Sequence, residues 1–248
     1  MSLIHPKTQR TIDWVFLDLD NTLWDFDANA REALKVLFQR HQLEYHTGFQ
    51  EEQFISLYQD VNAAYWSRYE KGEVSKEVLR VARFHDTFAK MGLSPSLYPK
   101  DVWQEYLDIC PRMTRLIPSA IEVLTALKRE VKIGILTNGF TETQRIKLRE
   151  SGIDQWIDFV QTSEEIHEAK PNKAFFIKAL ESCKTHAQNC IYIGDNLKTD
   201  VEGGMNAGIF TSHFNYSNIS ELPTEIFDHS LFGGSYKTLM SWSDSLHA

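Results

Sequence analysis

The stretch Trp14-Val15-Phe16-Leu17-Asp18-Leu19-Asp20-Asn21-Thr22 constrains the fold more than any other part of the chain. Four apolar residues run without polar alternation into two carboxylates placed i, i+2, followed by Asn and Thr. A short apolar run of this kind reads as a strand covered on both faces, as in a parallel sheet. The acids then fall at the strand's C-terminal end, the edge where open α/β sheets bind ligands. Two carboxylates at the end of a buried strand are costly unless something compensates them, and a divalent cation is the usual compensator.

The same pattern returns further along. Val131 to Gly139 is a second apolar run that ends in small polar residues, Thr137-Asn138-Gly139. Trp156 to Thr162 predicts a third strand, Cys190 to Asp195 a fourth that again ends in Asp, and Gly208 to Ser212 a fifth. Helical patterns separate them. Pro118 opens a helix with Ala120, Val123, Leu124 and Leu127 on one face. Thr141-Glu142-Thr143-Gln144 fits a capping box, and Gly152 ends that helix. Asn172 to Leu180 and Leu197 to Asn206 are helical, and the tail around Asp228 to Trp242 predicts a last helix on the sheet. Strands alternating with helices mean βαβ units, so the fold class is α/β with a parallel sheet and helices on both faces.

Between the first two strands the chain reads differently. Apolar residues at Ala30, Ala33, Leu34, Leu37 and Phe38 mark an amphipathic helix, and Phe54, Leu57, Tyr58, Val61 and Tyr65 mark a second. Val78 to Lys90 and Asp101 to Cys110 are two more, the last N-capped by its Asp. No strand candidate interrupts them. The expected organisation is a discontinuous core domain, residues 1–25 and 111–248, with a helical domain, 26–110, inserted into it.

Charge and cysteine usage narrow the function. A net charge of −8 argues against a nucleic-acid polymer as partner, which needs a basic face. It leaves room for a small anion, because local cations and a metal reverse the field inside one cleft. Cys110, Cys183 and Cys190 match no zinc spacing and read as reduced, mostly core residues of a cytoplasmic protein. No apolar run approaches the roughly 18 residues needed to span a bilayer, so no membrane partner is expected. The N-terminal residues carry no apolar leader.

Each of the first four strands leads into polar residues suited to phosphate chemistry. They are Asp18 and Asp20, then Thr137 and Asn138, then Lys170-Pro171, then Asp195 within Gly194-Asp195-Asn196-Leu197-Lys198-Thr199-Asp200. In order and in spacing these resemble the four motifs of the haloacid dehalogenase superfamily, spread over the whole α/β part of the chain. The resemblance implies a Rossmann-like core and a type-one helical cap. It implies that Asp18 attacks phosphorus to give an aspartyl-phosphate, with Asp20 as general acid and base. It assigns Mg²⁺ to the side chains of Asp18 and Asp195 and the backbone carbonyl of Asp20. Thr137, the backbone N–H of Asn138 and Lys170 would hold phosphate oxygens, and Lys170 would also steady the nucleophile. Asp200 stands either as a residue that orients Lys170 or a metal-bound water, or as a helix surface charge. Lys173 reads as a solvated helix residue, Asn196 as a cap, and Trp24 and Phe26 as lining the substrate cleft, with packing under the helical module as the alternative.

The presence of Asp20 disfavours the dehalogenase branch itself, whose members lack the second carboxylate. Asp18 to Phe26, Leu136 to Gly139 and Gly203 to Gly208 look most like the pyrimidine 5′-nucleotidase-like branch. That implies a nucleoside monophosphate, with the cap aromatics Tyr58, Tyr65, Trp66 and Tyr69 either stacking a base or packing a core. A sugar-phosphate or broad small-molecule phosphatase is the alternative. A phosphomutase is less well matched because the helical module shows no identifiable signature for one, and a silent binding protein or a phosphate-storing receiver because Asp18, Asp20, Thr137, Lys170 and Asp195 are all present. A monomer or homodimer is expected.

Overall fold

The computed structural model describes residues 10–214, so the tail segment Asp228 to Trp242 lies outside the described residues. The chain divides into two compact units, Met1–Phe26 with Thr114–Ala248, and Asp27–Met113.

The first unit is built on a parallel five-stranded sheet: β1 (Trp14–Leu17), β2 (Lys132–Thr137), β3 (Phe159–Thr162), β4 (Cys190–Gly194) and β5 (Phe210–His213). Its order is β3-β2-β1-β4-β5. β1, the most apolar of the runs, lies at the centre with all four residues buried. Register pairs Trp14 with Lys132 and Cys190, so Trp14, Phe16, Gly134, Leu136, Cys190 and Tyr192 share one face. Val15, Leu17, Ile133, Ile135, Ile191 and Ile193 share the other, and all of these are buried as well.

In the second unit the four expected helices appear, with a short one that the spacing did not predict, α2: α1 (Phe26–Arg40), α2 (Leu43–Thr47), α3 (Glu51–Glu70), α4 (Lys76–Lys90) and α5 (Val102–Ile109). Its interior is aromatic. Tyr58 is buried against Phe54, Phe84 and Tyr106, with ring centroids 6.4, 4.8 and 5.7 Å away. Tyr65 is buried too, and its hydroxyl donates to Asp86 Oδ2 at 2.7 Å. Both belong to that interior, so of the four cap aromatics only Trp66 and Tyr69 stay half-exposed. The Asp101 cap is corrected: its side chain makes no capping bond to α5. Ser75 does cap α4, accepting from Val78 N–H.

The remaining helices connect the strands: α6 (Ala120–Leu127), α7 (Thr141–Glu150), α8 (Ser163–Ile166), α9 (Lys173–Ser182) and α10 (Gly203–Asn206). Right-handed crossovers in this strand order put α6 and α7 on one face of the sheet and α9 and α10 on the other. Phe175, Phe176, Ala179 and Leu180 of α9 join Trp14, Phe16, Leu136, Cys190 and Tyr192 in one buried cluster. α6 starts at Ala120, after Ser119 in a left-handed conformation (φ 66°), not at Pro118. Before α10, residues Leu197–Glu202 wind as a π-helix, capped as expected by Asn196, whose Oδ1 accepts from Lys198 and Thr199 N–H.

Candidate functional site

The ends of β1, β2 and β4 and the loop before α9 bring the acids and the lysine together. Beyond β1 the chain turns sharply, with the N–H groups of Leu23 and Trp24 both donating to the Leu19 carbonyl. This places Asp18 directly past the strand, its N–H donating to the Ile193 carbonyl at 2.9 Å.

Lys170 is buried, and its ammonium donates to Asp18 Oδ1 at 2.7 Å, Asp200 Oδ1 at 2.7 Å and Tyr192 hydroxyl at 2.8 Å. An ammonium has three protons, so all three are used. Burial works against the charged amine, but the carboxylates of Asp18 and Asp200 outweigh it and raise the Lys170 pKa above its usual value. Asp200 is enclosed and accepts further from Tyr192 hydroxyl and from Asn196 N–H. It is therefore no surface charge but the partner that fixes Lys170. Lys173, by contrast, is exposed.

Burial pushes Asp18 well above the usual carboxylate range. Lys170 opposes this, while Asp200, Asp195 and Asp20 add to it. Asp195 is pushed up to about 7, by burial first and by the Asp200 charge second. Oxygens of Asp18, Asp195 and Asp200 all lie within 4.8 Å of one another. Three crowded carboxylates face one ammonium, and every donor is oxygen. That set suits a hard divalent cation such as Mg²⁺.

A second cluster forms on the other face of the sheet. Thr137 has the parity of Ile133 and Ile135, the face that α7 covers. Its hydroxyl oxygen accepts from Gln144 Nε2 at 2.7 Å and Gly139 N–H at 3.1 Å. Gln144 Nε2 also donates to Asp20 Oδ2 at 2.9 Å, and Lys147 Nζ lies 2.5 Å from Asp20 Oδ1. The capping box expected at Thr141 to Gln144 is thereby corrected. Phe140 takes the N-cap position without a side-chain bond, and Gln144 is drawn inward to Thr137 and Asp20. Gly139 makes this possible, because a Cβ there would sit 2.1 Å from Gln144 Nε2.

Trp24 is corrected as well: it is fully buried and lines no open cleft. Its ring stands under the Lys147 ammonium, 4.5 Å from the centroid, with Phe26 at 5.4 Å. The side chain of Asn138 clamps the Lys170 loop, accepting from Lys170 N–H at 2.9 Å and donating to its carbonyl at 3.0 Å.

Four residues at these clusters escaped the sequence reading. Tyr192 looked like one more apolar residue of β4. Gln144 reads from the sequence as part of a capping box and Lys147 carries no signal of its own, although their i, i+3 spacing puts them on one helix face. His213, at the end of β5, has Nε2 2.9 Å from the Asp195 carbonyl.

The model for the family "haloacid dehalogenase-like hydrolase" matches residues 12–208. The pyrimidine 5′-nucleotidase YjjG of Escherichia coli is 33% identical over 82% of this chain and 86% of its own. The pyrimidine 5′-nucleotidase PynA of Streptococcus pneumoniae is 29% identical over 82% of this chain and 83% of its own. Among solved structures, the magnesium-bound HAD-hydrolase YfnB of Bacillus subtilis is similar with a TM-score of 0.76 and 25% identity, over 88% of this chain and 98% of that one.

Proposed function

The chain belongs to the haloacid dehalogenase-like hydrolases, and from that premise we propose that it is a phosphomonoester hydrolase acting on a pyrimidine nucleoside monophosphate. The observation that carries the reading is the buried Lys170 ammonium, 2.7 Å from both Asp18 and Asp200 with Asp195 alongside. A carboxylate nucleophile, a fixed cation and a cluster of oxygen donors is the equipment that attack on a phosphate dianion requires.

The steps follow from the residues. An Asp18 oxygen attacks phosphorus, the bond from phosphorus to the leaving oxygen breaks, and Asp20 gives that oxygen a proton. A water then attacks the aspartyl-phosphate. Its proton passes to Asp20, the phosphorus–Asp18 bond breaks, and inorganic phosphate leaves. Lys170 holds Asp18 in position and steadies the charge on the transferring group. Thr137 hydroxyl and the N–H of Asn138 hold phosphate oxygens. Mg²⁺, held by the side chains of Asp18 and Asp195 and the carbonyl of Asp20, would reduce the repulsion between carboxylate and phosphate dianion. Asp200 keeps Lys170 aimed.

The pyrimidine preference draws support from the two relatives named as pyrimidine 5′-nucleotidases. The helical unit, 27–113, is proposed as the cap that selects the substrate. The test is phosphate release from pyrimidine and purine nucleotides, sugar phosphates and p-nitrophenyl phosphate with Mg²⁺, with Asp18→Asn as control. Selective release from pyrimidine nucleotides, abolished by the substitution and by chelator, is the expected result. Preference for a sugar phosphate would keep the mechanism and discard the nucleotide. No release from any substrate would overturn both.

A further inference from the structure

We propose that Gln144 and Lys147, one turn apart on α7, are positioning residues of the reaction: they set the direction of the Thr137 hydroxyl and of the Asp20 carboxylate. The inference rests on the reading of Asp20 as the proton carrier and Thr137 as a phosphate ligand. It adds two residues that lie outside the four strand-end motifs.

A threonine oxygen has two acceptor sites and one proton to give. Both acceptor sites of Thr137 are taken, by Gln144 Nε2 and Gly139 N–H. Among the described residues no group accepts its proton. Gln144 thus makes the hydroxyl an obligatory donor, the polarity that a phosphoryl oxygen needs. The amide bears a cost for facing this way, since Gln144 Oε1 is buried without a partner among the described residues. A buried unpaired acceptor costs stability. An amide placed for packing alone would not leave it so.

Asp20 is held by the same amide and by Lys147. One carboxylate oxygen accepts from Gln144 and the other from Lys147, so rotation about the carboxylate is blocked at both ends. Lys147 is itself nearly enclosed, its ammonium beside the Trp24 and Phe26 rings. A lysine kept for stability alone belongs on the surface, because burying a charge costs more than the pair returns. One amide therefore ties the group that grips the phosphate to the group that moves the proton.

Three variants test this: Lys147→Met, Lys147→Arg and Gln144→Leu. Each is followed by the first-turnover burst of p-nitrophenolate, by steady-state kcat and KM, and by thermal melting. p-Nitrophenolate leaves without a proton, whereas the attacking water must lose one. In Lys147→Met the burst should stay within about threefold of wild type, while steady-state kcat falls about 10- to 100-fold. Lys147→Arg should recover kcat to within about tenfold of wild type. Gln144→Leu should lower kcat and also raise KM about tenfold, because Thr137 loses its orienting donor. The proposal is overturned if kcat is unchanged in both Lys147→Met and Gln144→Leu. It is also overturned if burst and turnover fall together in Lys147→Met, or if the losses simply track melting temperature. Should Lys147→Met fail to fold, the rise in KM of Gln144→Leu decides alone. A wild-type protein without phosphate release, or an Asp18→Asn variant that keeps it, would instead remove the reading on which the proposal rests.

Discussion

The Lys170 ammonium spends its three protons on Asp18, Asp200 and Tyr192, so each partner is exposed to the loss of the others. Tyr192→Phe removes one acceptor from a buried cation and one donor from Asp200. It should cost about 1–3 kcal/mol, read from urea denaturation. Gly194 faces the same group: a Cβ there would lie 2.3 Å from Asp200 Oδ2. Gly194→Ala should therefore displace Asp200 and lower kcat about as far as Asp200→Asn does, measured side by side on one phosphomonoester. Legibility at this scale was uneven for a physical reason. Asp18, Thr137 and Asp195 stand out because each is polar at or just past the end of an apolar run, and Lys170 because a proline follows it in the loop before α9. Tyr192, Gln144 and Lys147 act through one polar atom on a side chain whose type suits its element, whether a strand tyrosine or residues of a polar helix. Nothing local marks them, and only the tertiary pairing does.

At the scale of elements, period was a good guide and termini were poor ones. β1 to β4 lie within the expected runs, β5 extends one residue past its own to His213, and the helical unit follows its apolar spacing. The expected caps fared differently because a cap is a matter of side-chain direction, which spacing does not encode. Asp101 makes no capping bond, while Asn172 Oδ1 accepts from Ala174 N–H at the start of α9. Asn172→Ala should thus cost about 1 kcal/mol and Asp101→Ala within about 0.5 kcal/mol of nothing, compared by chemical denaturation. In the helical unit, the buried Arg83 guanidinium donates to Asn62 Oδ1 at 2.8 Å and lies 5.1 to 5.7 Å from the rings of Tyr106, Phe84 and Tyr58. Arg83→Met strands the Asn62 amide, whereas Arg83→Met with Asn62→Leu strands nothing there. The double variant should be more stable than the sum of the two single changes by about 1 kcal/mol or more, in a double-mutant cycle.

The molecule as a whole carries an electrostatic debt at the strand ends. Asp195 is raised to about 7 and Asp18 is raised well above its usual value, burial being the largest cause for both. In metal-free protein the folded state then binds more protons than the unfolded state from about pH 4 up to about 7. The stability that Asp195 contributes is complete below the unfolded carboxylate range and is lost as pH rises through about 7, and Asp18, raised in the same direction, adds to the loss. In chelator the melting temperature should fall across that window. Added Mg²⁺ should restore it, most at the alkaline end, because binding competes with protons. A melting temperature flat with pH in chelator would contradict the buried, crowded carboxylates.

The chain leaves the sheet-bearing unit and returns to it at one seam. Asp25 N–H donates to the Arg115 carbonyl at 3.1 Å, and Ile117 N–H donates to the Leu23 carbonyl at 2.9 Å. Two strands of backbone stapled so closely are what a tight turn joins in a hairpin. The central strand and its neighbour β2 therefore meet across an insertion whose ends nearly touch, and a helical unit that folds first shortens the loop the sheet must close. The helical unit is in this sense a detachable passenger: replacing residues 27–113 with a short Gly-containing turn should leave a sheet domain that still folds and binds metal.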